Sequence, residues 1–220
     1  MTHVRGLKAR VERKEVISDE EFVVMMQKAE TIPEEFYRLR TKALLCIFRL
    51  TGKRRSEVAR LEVSDFKIEE GFLHVTFTLS KKRKKIPITK RSTKSIPLTD
   101  PLTKPIIEYL EYLLDLDPQP KYFFPQTKRL WGQEFVINSN QRISGRQVFN
   151  LVRKVSDRVW CHLFRETVAS DVVKRDPTII GAFKVQRRLD LESVQTGFNY
   201  VRRFASDIIN REIKEVNNHV

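Results

Sequence analysis

Four side chains spread along the sequence could together break and rejoin a phosphodiester bond. His162 and Arg165 are three positions apart on a predicted helix, so both face the same side. Arg54 follows a turn signal, Thr51–Gly52, which can direct its side chain into a cleft. Tyr200 supplies a phenol of ordinary pKa about 10, which needs a base or a positive site before it attacks. Because guanidinium groups bind phosphate oxygens and stabilise a pentacoordinate transition state, this set suits exchange through a tyrosyl-phosphate.

Other catalytic chemistries lack their usual signals in this sequence. With seven glycines in 220 residues there is no phosphate-binding glycine loop, and no Ser or Cys lies in a nucleophile-elbow context. The histidines and cysteines are few and scattered: His3, His74, His162, His219, Cys46 and Cys161. Their spacing matches no metal site, so we expect neither a metal nor another cofactor.

The charge balance favours a polyanionic partner. Lys and Arg number 42 against 28 Asp and Glu, which gives a formal charge of +14 and a pI near 9.9. Nucleic acid is the commonest cellular polyanion. A membrane surface is an alternative, but no segment joins a basic face to a strongly apolar one. A basic RNA-binding protein is another alternative, although no RNA-binding motif is recognisable.

Composition also limits the class of protein and its location. Hydrophobic residues make up 40% of the chain, which is enough to bury a core and excludes wholesale disorder. The longest apolar stretch, around residues 43–48, is too short to cross a bilayer, and the N-terminus lacks the apolar centre of a signal peptide. Two cysteines fit a reducing compartment. We therefore expect a soluble cytoplasmic protein, associated with the nucleoid or with the host cell of a mobile element.

Helix signals dominate the elements that must position these residues. Ser18 and Glu21 form a capping box that predicts a helix to about Ala29. Gly52 lies where the cap of the second helix is expected. Further helices are predicted to begin at or near Thr31, Ser56, Asp100, Ser144, His162, Asp176 and Ser193.

One region changes to the period of a strand. Apolar and polar residues alternate over Leu73–Leu79, and Ser95–Leu98 is predicted as the returning strand, with a turn over residues 81–95. Residues 117–127 are predicted as a Pro-rich loop. The sequence therefore predicts an α+β fold that is mostly helical, with one small antiparallel sheet.

A basic run occupies the predicted turn. Between Lys81 and Lys94 there are eight basic residues and no acidic residue. Such a run is usually a solvated face, but unpaired cations at a hairpin repel one another unless an anion lies nearby. We therefore predict phosphate contacts by these side chains. The candidate DNA-binding residues are Lys82, Arg83, Lys84, Lys85, Lys90 and Arg91.

Three motifs resemble, in order and spacing, those of the tyrosine recombinases, the phage integrase family. The family pattern T-G-x-R-x-x-E-[LV] corresponds to Thr51–Val58, and H-x-x-R-[HE]-T-x-A-[ST] corresponds to His162–Ser170. The closing pattern L-G-H-x-S-[IV]-x-T-T-x-x-Y corresponds to Leu189–Tyr200. The resemblance covers about residues 15–205 and implies the fold of that family's catalytic domain.

The resemblance implies a role for each matching side chain. Arg54 and Arg165 would hold the non-bridging oxygens of the scissile phosphate, while His162 would assist proton transfer or hold the phosphate. Tyr200 would attack phosphorus, leaving a 3′-phosphotyrosine and a free 5′-hydroxyl. The chain would then be a site-specific recombinase or integrase whose chemistry is shared with type IB topoisomerases.

The family also uses a lysine, on a hairpin between the first two motifs, to protonate the leaving 5′-oxygen. Here the resemblance indicates Lys81, at the end of the alternating strand, with Lys82 and then Lys90 as alternatives. Because the phosphotyrosine conserves the bond energy, neither ATP nor a metal would be needed. The implied partners are double-stranded DNA and other copies of the chain, as a tetramer on DNA, with no membrane.

One motif position departs from the family pattern. Leu191 stands where the family has a second histidine or a tryptophan, and it cannot donate a hydrogen bond to phosphate. Arg187 or Arg188 could compensate. The alternative function is therefore a DNA-binding regulator or accessory protein on the same scaffold with degraded catalysis.

The expected domain organisation has three parts. Residues 1–14 are predicted to be a basic flexible arm, residues 15–205 the catalytic domain, and residues 206–220 a C-terminal helix that docks on a neighbouring subunit. Too few residues precede Ser18 for the N-terminal domain of most family members, so we expect a minimal recombinase, a fragment or an excised catalytic domain. The docking prediction depends on an apolar stripe: Phe204, Ile208, Ile209, Ile213 and Val216.

Overall fold

The computed structural model describes residues 16–79, 90–128 and 136–217, with side chains to residue 205. The predicted arm at residues 1–14 and most of the basic run therefore lie outside the described residues. The helices are α1 (Asp19–Glu30), α2 (Glu35–Thr51), α3 (Arg55–Val58), α4 (Lys104–Leu116), α5 (Gly145–Val155), α6 (Cys161–Arg175), α7 (Ile179–Leu189) and α8 (Val194–Asn217). The strands are β1 (Phe66–Glu69), β2 (Phe72–Thr78), β3 (Arg91–Pro97), β4 (Pro125–Lys128) and β5 (Val136–Arg142). The mostly helical α+β fold class is confirmed.

Local chemistry explains where the helices begin and end. The Ser18 hydroxyl accepts a hydrogen bond from the Glu21 N–H at 3.2 Å, so the predicted cap of α1 is confirmed. Gly52 ends α2 in the left-handed conformation, also as predicted. Three predicted starts are too early, because α2 begins after extended Glu34, α4 after Thr103 and α7 after Thr178. Residues before these caps form turns, since a proline near a helix start restricts φ without requiring the helix to begin there.

The larger sheet has the order β1-β2-β3 and is antiparallel throughout. The alternation predicted for β2 is confirmed, because Leu73, Val75 and Phe77 are buried against the core. The prediction of a turn to residue 95 is wrong, since β3 begins at Arg91 and pairs with β2 along its length. Cross-strand pairs on the outer face stabilise this pairing, including the Thr76 and Thr93 hydroxyls, 2.9 Å apart.

The prediction of a single sheet is also wrong. The end of the predicted loop at residues 117–127 enters β4, which pairs with β5 in a second, two-stranded sheet. Proline is tolerated at Pro125 because it is the first residue of its strand. The side chains of β5 are exposed or partly buried, so the strand lacks the apolar alternation that would have revealed it.

The described residues form two apolar clusters in the interior. The larger lies among α1, α2, α4, α5, the sheet and the start of α6, while the smaller joins α6, α7 and α8. A Cβ added at Gly197 would lie 2.3 Å from the carbonyl oxygen of Ala182, so α8 can approach α7 this closely only with glycine here. This approach sets the position of Tyr200, one turn later on α8.

The first residue of the predicted docking stripe, Phe204, is buried in its own domain, so this part of the prediction is wrong. Phe204 is only 4% exposed, belongs to the smaller cluster and stacks on Tyr200 with ring centroids 6.2 Å apart. It therefore packs in its own domain, because the turn after Tyr200 still faces α6. Within the described ranges, no helix combines the length and the hydropathy needed to cross a membrane.

Candidate active site

The guanidinium of Arg165 lies where two helices end. Its Nη1 donates to the carbonyl of Gly52 at 2.9 Å and its Nη2 to the carbonyl of Leu189 at 2.6 Å. These residues end α2 and α7, where unpaired carbonyls and the helix dipoles attract a cation. The residue is only 2% exposed, and burial followed by the nearby Arg54 charge lowers the pKa of its guanidinium. An arginine still remains charged at neutral pH.

Gly52 is required for this arrangement. Its φ of 59° lies in the left-handed region, and an added Cβ would be 2.7 Å from Cδ2 of Leu189. The turn therefore packs against α7 while presenting its carbonyl to Arg165. Arg54 follows in extended conformation immediately before α3.

Arg54 is held by a buried carboxylate. Glu57 is only 1% exposed; its Oε1 accepts from Arg54 Nη1 at 3.1 Å and its Oε2 from the Arg54 backbone N–H at 2.9 Å. The Arg54 side chain remains 32% exposed, so part of its guanidinium faces solvent. Two guanidiniums close enough for Arg54 to lower the pKa of Arg165 form a site that favours an anion.

Three further side chains, those of His162, Tyr200 and Arg203, meet at the carboxylate of Glu166. Oε1 of this carboxylate accepts from the Tyr200 hydroxyl at 3.4 Å and lies 3.2 Å from Nε2 of His162, while Oε2 accepts from Arg203 at 2.9 Å. The structure therefore brings His162 and Tyr200 together with Arg165, although Tyr200 lies on a different helix.

These contacts determine how Tyr200 is protonated. Burial raises the pKa of its phenol, and the negative charge of Glu166 raises it further, whereas the Arg165 guanidinium acts in the opposite direction. Although burial opposes it, the hydrogen bond from His162 and the charge of Arg203 hold the pKa of Glu166 below its usual value. The phenol is therefore neutral at pH 7, with an ionised carboxylate as its acceptor.

The candidate lysines and the basic run are only partly visible. Lys81 and residues 82–85 lie outside the described residues. The carbonyl of Lys90 accepts from the Leu79 N–H at 2.9 Å, which places Lys90 at the base of the hairpin. Arg91 forms an ion pair with the buried carboxylate of Asp65.

The environment of Leu191 is apolar. It packs against the cluster of α6, α7 and α8 that also contacts Tyr200. The guanidinium of Arg188 donates to the carbonyl of Leu50 at 2.5 Å and is engaged there. Arg187 is exposed on α7. Neither observation supports the idea that these arginines replace the missing donor.

Sequence reasoning overlooked Glu166. It occupies the [HE] position of the second motif and lies four residues after His162, so helical spacing already places both on one face. That Tyr200 would join this face was not visible from spacing. Within the described part of the chain, no group of three or more His, Cys, Asp and Glu side chains could hold a metal ion.

Solved structures similar to the chain are recombinases and integrases. XerA recombinase aligns with a TM-score of 0.60 and 18% identity, over 90% of this chain and 65% of that one. XerH in a pre-cleavage complex with its difH substrate aligns with a TM-score of 0.61 and 16% identity, over 84% and 49%. A lambda integrase tetramer bound to a Holliday junction aligns with a TM-score of 0.51 and 17% identity, over 90% and 50%. At these identities the likeness shows a shared fold.

The chain spans about half to two thirds of the length of these proteins. No curated protein sequence gives a match to it. A family model, however, matches residues 15–206, which include all three motifs and the site built from them. The chain therefore belongs to the phage integrase family, the tyrosine recombinases.

Proposed function

We propose that the chain is a site-specific DNA recombinase or integrase that cleaves and rejoins strands through a 3′-phosphotyrosine. The observation that carries this proposal is the meeting of Tyr200 with Arg165 and His162 at one site. The phenol hydrogen bonds to Glu166, which also contacts His162, and it lies close enough to Arg165 for that charge to act on its pKa.

The two guanidiniums bind the scissile phosphate in this proposal. Arg165 is already fastened by two backbone carbonyls, and Arg54 is oriented by Glu57, so little reorganisation is needed when the phosphate arrives. Both charges stabilise the extra negative charge of the pentacoordinate transition state. Binding of a phosphate would offset the repulsion between the buried Arg165 and the nearby Arg54.

The chemical step exchanges one phosphoester for another. The Tyr200 oxygen attacks phosphorus and forms a new P–O bond while the bond to the 5′-oxygen breaks. The phenol proton leaves toward the His162 and Glu166 pair, and the hairpin lysine, Lys81 by our assignment, protonates the 5′-oxygen. The reverse reaction with another strand's 5′-hydroxyl rejoins DNA without ATP, as in type IB topoisomerases.

Binding and assembly are further parts of the proposal. The basic hairpin residues, which contribute to the formal charge of +14, would contact phosphates on both sides of the scissile bond. Four copies would assemble on double-stranded DNA, and residues 206–220 would form the docking tail after a catalytic domain at residues 15–205. We place the protein in the cytoplasm, where it meets nucleoid or mobile-element DNA.

A trapping experiment tests the proposed function. Duplexes with randomised sequence and a nick beside each possible cleavage site lose the short leaving strand, so a covalent adduct accumulates and its DNA can be sequenced. We expect an adduct from the native chain, none from Tyr200→Phe, and DNA binding by the variant within about twofold, because affinity comes from many phosphate contacts.

Tyr112→Phe is the matched control, because it removes a phenol from α4, outside the site. An adduct that persists in Tyr200→Phe would exclude Tyr200 as nucleophile. Binding without any adduct from the native chain would instead favour the regulator with degraded catalysis, which the apolar setting of Leu191 motivates.

A further inference from the structure

Asp190 ends α7 in a conformation that few residues adopt. Its φ of 50° and ψ of 52° lie in the left-handed region, where the family pattern has glycine. Asp and Asn tolerate this conformation better than other non-glycine residues. The chain thus keeps the backbone that glycine would provide and adds a carboxylate to it.

That carboxylate binds three side chains from two other segments. Oδ2 forms an ion pair with Nζ of Lys53. Oδ1 accepts from the Ser92 hydroxyl at 2.7 Å and from Nζ of Lys94 at 3.1 Å. Nζ of Lys94 also donates to the carbonyl of Arg187 at 2.9 Å, so three hydrogen bonds from Ser92 and Lys94 attach β3 to the end of α7.

Lys53 lacks the usual access of a lysine to water. Its side chain is fully buried, and Nζ lies 4.6 Å from the centre of the Phe77 ring. Burial lowers the pKa of its ammonium to about 8, with Asp190 and Glu57 opposing the shift and Lys94 adding to it. A buried ion of this kind needs its counterion, because removing one partner leaves an uncompensated charge.

The position of this ion pair relates it directly to Arg165. The two carbonyls that hold the Arg165 guanidinium belong to Gly52 and Leu189, and the residues that immediately follow them are Lys53 and Asp190. The ion pair therefore ties together the same two backbone turns that the guanidinium bridges, one residue further along each.

We propose that Asp190 is a positioning residue. Through its ion pair with Lys53 it fixes the distance between the two carbonyls, of Gly52 and Leu189, that orient Arg165. Through Ser92 and Lys94 it also attaches β3 to the end of α7. The proposal rests on the proposed DNA-cleaving function. Asp190 acts through Arg165 and does not touch the DNA. Where the family pattern has glycine, this chain has an aspartate. Its carboxylate forms an ion pair with Lys53, and the buried ammonium of Lys53 needs that counterion.

Single-turnover cleavage of the trapped substrate tests this role. Asp190→Asn and Asp190→Gly both keep the left-handed turn and remove the charge. We expect each to cleave about tenfold to a hundredfold more slowly per folded molecule, since small displacements of a catalytic group cost up to about 10²-fold. DNA affinity should stay within about threefold, because the hairpin and Arg54 are retained.

The matched control is Asp176→Asn. Asp176 also lies beside α7 and pairs with a lysine, Lys184, but that lysine is exposed and outside the site. This variant should cleave at the native rate. Asp190 variants that are folded and also cleave at the native rate would overturn the proposal.

A second substitution tests the route through Lys53. In Asp190→Asn combined with Lys53→Met, the fully buried cation is removed together with its counterion, and an apolar replacement of a buried pair is often neutral. Lys94, which is not fully buried, keeps its bond to the carbonyl of Arg187. We expect cleavage to return to within about threefold of the native rate. A double variant as slow as Asp190→Asn alone would exclude this route, and a purely structural role would lower the melting temperature without this rescue.

Hydrogen exchange separates failure of this inference from failure of the proposed function. If the native chain forms no adduct, the proposed function is wrong, but the tie can still be judged without catalysis. Amides of residues 52–55 and 189–191 should exchange at least about tenfold faster in Asp190→Asn than in Asp176→Asn, because local opening sets their exchange rate. Equal exchange in the two variants would overturn the proposal.

Discussion

Arg165 and Tyr200 lie in one site but are held by different kinds of contact. Arg165 is buried, and its partners are backbone carbonyls at the ends of two helices. Tyr200 is partly buried, and its hydroxyl donates at 3.4 Å to the side chain of Glu166, which also contacts His162 and Arg203. Backbone acceptors have no alternative rotamers, whereas a carboxylate shared among three donors can exchange them.

This difference separates two tasks. In the proposed reaction, the arginines that would bind the phosphate are already held in place before DNA arrives, so their charges would need little reorganisation in the transition state. The Tyr200 phenol, the proposed nucleophile, is neutral and hydrogen bonded to Glu166. Changing Arg165 should therefore damage both structure and chemistry, while changing Glu166 should alter mainly the conditions under which the phenol ionises.

The largest expected effect comes from Arg165→Ala. Losing one preorganised donor costs about 10²–10³-fold in rate, so loss of this charge should slow cleavage at least as much. The melting temperature should fall as well, because two buried carbonyls lose their donor. Single-turnover cleavage and thermal unfolding measure the two effects. Arg165→Lys should recover neither the cleavage rate nor the melting temperature, because an ammonium lacks the planar pair of N–H donors with which the guanidinium binds both carbonyls.

Arg54→Ala is the comparison for that prediction. Arg54 is about one third exposed, and Glu57 keeps the hydrogen bond from the backbone N–H of residue 54. We expect a similar loss of cleavage rate with little change in melting temperature. Equal destabilisation by both variants would show that the two arginines are not held differently.

An intermediate effect is expected from Glu166→Gln. Burial and the Glu166 charge both raise the pKa of the Tyr200 phenol, so removing the charge lowers that pKa toward its ordinary value. If cleavage requires the phenolate, the rise of the cleavage rate with pH should then occur at a lower pH than in the native chain. Single-turnover rates measured across pH 7 to about 10 test this, since the free phenol titrates at about 10.

The control for this pH profile is Asp171→Asn. Asp171 lies on the same helix but pairs with Arg49, away from the phenol. Its profile should match that of the native chain. A profile of Glu166→Gln that does not move, or moves to higher pH, would mean that Glu166 does not control ionisation of the nucleophile.

The smallest effect on the isolated chain should come from removing residues 206–220. Phe204 belongs to the domain's own cluster, so a truncation must leave it in place. Ending the chain after Ala205 should change the melting temperature by less than about 3 °C, which corresponds to less than about 1 kcal/mol in a domain of this size. Multimer formation on DNA, measured by sedimentation, should weaken. A large drop in melting temperature would place the tail in the domain's own core.

Much of the fold could be predicted because its signals are local. The Ser18 cap, the left-handed Gly52 and the alternation in β2 depend on neighbouring residues, and all three are confirmed. The second sheet was missed because β5 lacks an apolar face, so its pairing with β4 leaves no period-two pattern in the sequence. The extent of β3 was missed because its sequence is basic and polar, which is typical of a turn. The hydroxyl pair that stabilises it joins Thr93 to Thr76 on β2, and such a cross-strand contact leaves no local pattern.

Sequence alone was enough to find the three ordered motifs and to nominate two arginines, a histidine and a tyrosine as the reacting groups. It could do so because helix caps, turns and motif spacing depend on residues close together in the chain. Tertiary structure alone decided what holds these groups, including the carbonyls around Arg165 and the meeting of Tyr200 with Glu166. It also decided that Lys53 is buried against Asp190. These contacts join segments far apart in sequence, and no local pattern records which distant charge or carbonyl a side chain will meet.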